Sequence, residues 1–148
     1  MDTDSKEFNA GLDAVWLACG VTEAVQLEIA QQGTTKLDKA DNSPVTVADF
    51  ASQAIICRQL AEHFPDDAVV AEEDSIALRE AINQAALEQV ALYVNAVSGS
   101  ASTDEVCDWI DRGGAEAKGR YWVLDPIDGT KGFLRGEQYA IALALIED

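Results

Sequence analysis

The segment Asp125-Pro126-Ile127-Asp128-Gly129-Thr130 sets two carboxylates three residues apart, where a hydrophobic strand runs out into a tight turn. Proline fixes one backbone angle and glycine permits an unusual one. Asp125, the carbonyl of Ile127 and Asp128 can therefore turn toward one point. A second acidic turn, Glu72-Glu73-Asp74, follows another short apolar run, Ala68-Val69-Val70-Ala71. Hard oxygen donors of this kind select Mg²⁺ or Mn²⁺ over zinc or copper. Each segment also has a plainer use: Pro and Asp-Gly pairs serve turns, and acids favour a helix N-terminus. The metal reading rests on the pairing of the two segments. Clustered acids without cations repel one another, and the nearest basic residue in sequence, Lys131, cannot neutralise them all.

Asp49 presents the same choice, because Thr46-x-x-Asp49 fits a capping box at the start of a helix. Thr130 lies beside the acid turn and is expected to open a short helix through Phe133, so its hydroxyl and N–H could hold a phosphate oxygen or a water. If Asp49 accepts a hydrogen bond from Thr130, the pair could orient and deprotonate a water. Several other chemistries fail on spacing. The run from Asp125 lacks the alternate acids and twelfth-position Glu of an EF-hand. An aspartyl-phosphate phosphatase needs Asp-x-Asp-Gly-Thr, and Pro126 stands where its nucleophile belongs. Neither a P-loop nor a dinucleotide glycine fingerprint occurs, and the single His63 has no Ser or Cys motif to serve.

The 148 residues, one domain's worth, carry 10 Lys and Arg against 27 Asp and Glu, a net charge of −17. With 48% hydrophobic and 25% charged residues the chain has a globular composition. Its charge repels phosphate backbones and anionic bilayers, so no nucleic acid polymer and no membrane is expected as a partner. An anionic ligand would need a bridging cation. The polar, acidic start and the charge-interrupted apolar runs predict a cytoplasmic chain without export signal or span. Cys19, Cys57 and Cys107 are odd in number and widely spaced, which argues against disulfides and zinc.

The elements that must hold these residues read as helices first and strands later. A long first helix is expected from Asn9 to about Gln32, with Leu12, Val15, Trp16, Cys19, Leu27 and Ala30 on one face, Val21, Val25 and Ile29 on the opposite side so that its second half is covered on two faces, and Gly33 as its stop. After the turn signal Asp41-Asn42-Ser43-Pro44, a second helix runs to about His63. A strand at Ala68–Ala71 precedes a third helix carrying Ile76, Leu78, Ile82, Leu87, Val90, Leu92 and Val97. Ser98 to Gly119 reads as a surface loop with one helical turn around Val106 to Ile110. Strands follow at Arg120–Leu124 and Tyr139–Ile146, separated by the turn Asp125 to Thr130. The fold class is α/β, in layers. The chain stops after an apolar strand that needs neighbours on both sides, which predicts an incomplete domain.

These residues resemble the Mg²⁺-dependent, lithium-sensitive inositol monophosphatase superfamily, through Glu72-Glu73 followed by Asp125-Pro126-Ile127-Asp128-Gly129-Thr130. Within it the 3'(2'),5'-bisphosphate nucleotidase branch is most similar. Asp41-Asn42-Ser43-Pro44-Val45-Thr46-Val47-Ala48-Asp49 and Thr130-Lys131-Gly132-Phe133-Leu134-Arg135-Gly136-Glu137-Gln138 read like that branch, as does the long segment from Ser75 to Leu124. The resemblance covers nearly the whole chain. It implies an inositol monophosphatase/sugar phosphatase-like fold. It also implies a first Mg²⁺ held by Glu72, Asp125 and the Ile127 carbonyl, and a second reached by Asp125 and Asp128. Glu73 would assist a further ion or a water. Asp49 and Thr130 would activate the attacking water, and the Gly129 and Thr130 amides would help hold the scissile phosphate. The implied reaction is in-line hydrolysis of adenosine 3',5'-bisphosphate, or its sulfated relative, to AMP and phosphate in sulfur and nucleotide metabolism. Family members add a second α/β domain with a Trp-Asp motif, whereas Trp16, Trp109 and Trp122 here precede Leu17, Ile110 and Val123. Residues 1–148 are thus expected to be the N-terminal metal-binding and catalytic portion, with the C-terminal domain absent. The alternatives are an inositol monophosphatase or polyphosphate 1-phosphatase, and a non-catalytic metal-binding remnant.

Overall fold

The computed structural model describes residues 4–32, 36–38 and 44–148. Gly33, the expected helix stop, and the Asp41-Asn42-Ser43 part of the turn signal lie outside the described residues. Helix α1 spans Lys6–Gln32. Strands β1 (Lys36–Asp38) and β2 (Pro44–Thr46) pair antiparallel, Leu37 opposite Val45, and deliver the chain into α2 (Val47–His63). Strand β3 (Ala68–Ala71) is followed by two short 3₁₀ turns, Ala77–Arg79 and Ala81–Asn83. Helices α3 (Gln84–Ser98) and α4 (Thr103–Asp111), strand β4 (Tyr121–Asp128), helix α5 (Thr130–Leu134) and strand β5 (Ala140–Ile146) complete the order. The second sheet runs β3-β4-β5, with β3 parallel and β5 antiparallel to β4. Mixed helices on a small mixed sheet make this an α/β fold, as expected.

Helix α2 is the centre of the molecule. It packs against α1, α3, α4 and β4, and every residue from Val47 to Cys57 is buried. A helix buried all round has no solvent face to absorb polar residues, so Asp49, Ser52 and Gln53 must find partners inside. Against it α1 presents Ala10, Ala14, Ala18, Val21 and Val25, all buried. This corrects the expected face: Trp16 is 76% exposed, Leu27 64% and Leu12 52%. Small residues at spacing of three and four let two helix backbones approach closely, and large ones would hold them apart.

Three further expectations are corrected. The third helix begins only at Gln84, and Ile76, Ile82 and Leu92 before and along it are exposed. The expected loop from Ser98 to Gly119 contains a nine-residue helix, α4, opened by a capping box in which Ser102 accepts from the Glu105 N–H and the Glu105 carboxylate accepts from the Ser102 N–H. Val106, Cys107 and Ile110 bury its apolar face. The turn expected from Asp125 is strand up to Asp128, and the reversal waits for Gly129, whose φ of +90° suits glycine. Pairing with β5 shifts between Asp125, opposite Ala142, and Asp128, opposite Ala140. The irregularity spans Pro126, which has no N–H for a ladder, and Ile127, and a bulge there re-aims Asp125 and Asp128 on either side of it.

Candidate active site

The first buried turn of α2 supplies Asp49, 3% exposed. One carboxylate oxygen, Oδ2, accepts from the Thr46 N–H at 2.8 Å and the Thr46 hydroxyl at 2.7 Å. Thr46 Oγ1 in turn accepts from the Ala48 and Asp49 N–H groups, which completes a capping box. The other oxygen, Oδ1, lies 3.3 Å from the Thr130 hydroxyl, which donates to it and also reaches the Ile127 carbonyl at 3.2 Å. The two readings of Asp49 are therefore compatible, because each uses a different oxygen.

Asp125 stands at the bulge in β4, half-buried, its Oδ1 accepting from the Ile127 N–H at 3.2 Å. Burial, the charges of Glu72 and Asp128, and a side-chain hydrogen bond with Glu72 push its carboxyl above the usual range, against the Ile127 N–H. The structure thus gathers Glu72, just after β3, and Asp125 and Asp128, at the end of β4, into one electrostatic neighbourhood. Glu72 and Asp128 are exposed, while Glu73 is buried at 5%. Among the described residues no three His, Cys, Asp or Glu side chains already stand close enough to enclose a metal ion. The donor set nevertheless fits one by its chemistry: hard oxygens only, and mutual repulsion at Asp125 that a cation would relieve. Gly129 and Thr130 follow directly, with Thr130 opening α5 and the Gly129 carbonyl accepting from the Phe133 N–H.

Two residues that join these segments were missed by reading motifs. Ser52 donates to the Pro126 carbonyl at 3.0 Å. Gln53 donates to the Glu73 carbonyl at 2.6 Å and the Ile110 carbonyl at 2.7 Å, and accepts from the Glu73 N–H at 3.0 Å. A usable signal was present: Asp49, Ser52 and Gln53 are polar residues at spacing of three and four within the otherwise apolar stretch from Val47 to Cys57. Behind the acidic turn, Asp111 accepts from both the N–H and the hydroxyl of Ser75 at 2.7 Å.

Comparison with known proteins bears on this arrangement. The model of the inositol monophosphatase family matches residues 10–148. A protein named 3'(2'),5'-bisphosphate nucleotidase 1 from Arabidopsis thaliana is 44% identical over 155 residues, covering 97% of this chain and 43% of that protein. One of the same name from Candida albicans is 46% identical over 159 residues, with coverage of 97% and 43%. A 3'(2'),5'-bisphosphate nucleotidase from Schizosaccharomyces pombe is 42% identical over 155 residues, with coverage of 96% and 44%. The chain thus spans less than half the length of these relatives.

Proposed function

Because the chain belongs to the inositol monophosphatase family, we propose that it is the metal-binding and catalytic portion of a phosphatase that removes the 3'-phosphate from adenosine 3',5'-bisphosphate, or from its sulfated relative, releasing AMP and phosphate from the former. The observation that carries the chemistry is the hydrogen bond from Thr130 to the buried Asp49, beside the acids gathered around Asp125. The substrate class follows the names of relatives that align with nearly all of this chain. A small phosphorylated nucleotide is the partner in this reading, with action in the cytoplasm and in sulfur and nucleotide metabolism.

Glu72, Asp125, the Ile127 carbonyl and Asp128 are the residues that would hold Mg²⁺. Bound there, the cation supplies charge neutralisation for the phosphate oxygens, which a surface of net charge −17 would otherwise repel. The chain's own groups do the rest. Thr130 Oγ1 faces two acceptors, the Asp49 carboxylate and the Ile127 carbonyl, so its proton is directed inward and its lone pairs outward, toward an incoming water. Water gives a proton to Thr130 as Thr130 gives its own to Asp49, and the oxygen attacks phosphorus in line. The 3'-oxygen leaves and takes up a proton from solvent, which balances the one passed to Asp49. The Gly129 and Thr130 amides hold the phosphate at the start of α5.

The experiment is phosphate release from adenosine 3',5'-bisphosphate with Mg²⁺, with and without lithium, on this chain and on the longest continuous reading frame that contains it. Lithium-sensitive release is expected. Release from inositol phosphates instead would reassign the substrate, and Mg²⁺ binding without release from either would leave a non-catalytic metal-binding module.

A further inference from the structure

Three buried polar side chains on one stripe of α2 each reach a different part of the candidate site. Asp49 takes the Thr130 hydroxyl, Ser52 the Pro126 carbonyl, and Gln53 both backbone groups of Glu73. Ser52 and Gln53 are fully buried. A carboxamide in such a place loses its hydration, and its bonds to Glu73 and Ile110 offset that loss. Gripping the N–H and the carbonyl of the same residue, as a neighbouring strand would, leaves Glu73 no backbone rotation that keeps both bonds. The peptide between Pro126 and Ile127 is held at both ends, its carbonyl by the Ser52 hydroxyl and its N–H by Asp125 Oδ1.

We propose that Gln53, assisted by Ser52, is the positioning residue that fixes the Glu72-Glu73 turn against the Asp125–Asp128 strand and so sets the affinity for the divalent cation. This rests on the metal reading given above. Gly113 belongs to the same device. A Cβ there would lie 2.7 Å from Gln53 Nε2 and 2.7 Å from the Ala71 Cβ, so only glycine leaves the carboxamide its place. The Gly113 carbonyl also accepts from the Ala71 N–H at 2.8 Å, at the last residue of β3 before Glu72. Outer groups that orient metal ligands typically change affinity about 10- to 100-fold when removed.

The test uses Mn²⁺ titration by calorimetry and deuterium exchange over residues 72–75, on the wild-type chain and on Gln53→Leu, Ser52→Ala, Gly113→Ala and the control Leu60→Ala. Leu60 is buried near the far end of α2. Gln53→Leu and Gly113→Ala are expected to weaken Mn²⁺ about tenfold or more and to speed exchange in the acidic turn, with a smaller loss for Ser52→Ala. Leu60→Ala should lower the melting temperature while leaving both readouts unchanged. A folded Gln53→Leu chain with wild-type Mn²⁺ affinity overturns the proposal. If that variant does not fold, unchanged affinity in both Gly113→Ala and Ser52→Ala overturns it. A wild-type chain that binds no Mn²⁺ overturns the metal reading beneath it. Exchange then decides the clamp separately: faster exchange in Gln53→Leu supports it and unchanged exchange removes it.

Discussion

Asp49 divides its work between two oxygens, one capping α2 through Thr46 and one accepting from Thr130. Replacing it with alanine removes both. Asp49→Ala is expected to cost about 1 kcal/mol in denaturant unfolding, the size of a lost cap, and to lower turnover by about 10²- to 10⁴-fold. An earlier melt with full turnover would leave Asp49 only its cap. Asp125→Asn is expected to behave in the opposite way. The amide keeps an acceptor for the Ile127 N–H and loses the repulsion from Glu72 and Asp128. The metal-free variant should therefore melt no earlier than the wild type, while calorimetric Mg²⁺ binding is lost. Unchanged Mg²⁺ affinity would remove Asp125 from the metal site.

At the scale of elements, α1 shows how an apolar pattern can mislead. Its large residues suggested a buried face along Leu12, Trp16 and Leu27, yet the contact with α2 is made by alanines and valines. Trp16→Ser is expected to change unfolding free energy by no more than about 0.5 kcal/mol, as at most exposed positions. Ala14→Leu, by contrast, should cost about 1–3 kcal/mol by forcing the helices apart. A stable Ala14→Leu chain would show that α1 and α2 are not packed as described. Helix α4 was legible as a turn and not as a helix, because its Ser-x-x-Glu box lies among glycines and scattered acids. Its end carries the Ile110 carbonyl that holds Gln53 and the Asp111 carboxylate that holds Ser75.

Over the whole molecule, burial separates the three thiols. Cys57 and Cys107 are fully buried, and Cys19 is partly exposed. Burial pushes the Cys57 thiol up to about 12, against the nearby Arg112 charge. An unfolded thiol ionises from about pH 8.5, so the native state, which keeps Cys57 protonated, loses stability as pH rises from there toward about 12. Unfolding midpoints of Cys57→Ala compared with wild type between pH 8 and 11 should show a shallower decline in the variant; equal slopes would contradict this burial. No helix among the described residues is long and apolar enough to cross a membrane. An apolar cleft of about 560 Å³ opens between α1 and the sheet, lined by Phe8, Leu12, Val15, Trp122 and Leu143, and contains none of the candidate site residues.

What the linear chain determined here is chemistry carried by adjacent residues: two acidic turns after apolar runs, a capping box before α2, and the Gly129-Thr130 corner. These are local because backbone angles, caps and turn residues act over a few positions. Tertiary structure alone decided which turn faces which. The Thr130–Asp49 bond spans 81 positions, and the Gln53–Glu73 and Ser52–Pro126 bonds span 20 and 74. Those contacts exist because α2 is buried all round from Val47 to Cys57, so that the three polar residues within that stretch can be satisfied only by the segments packed over them.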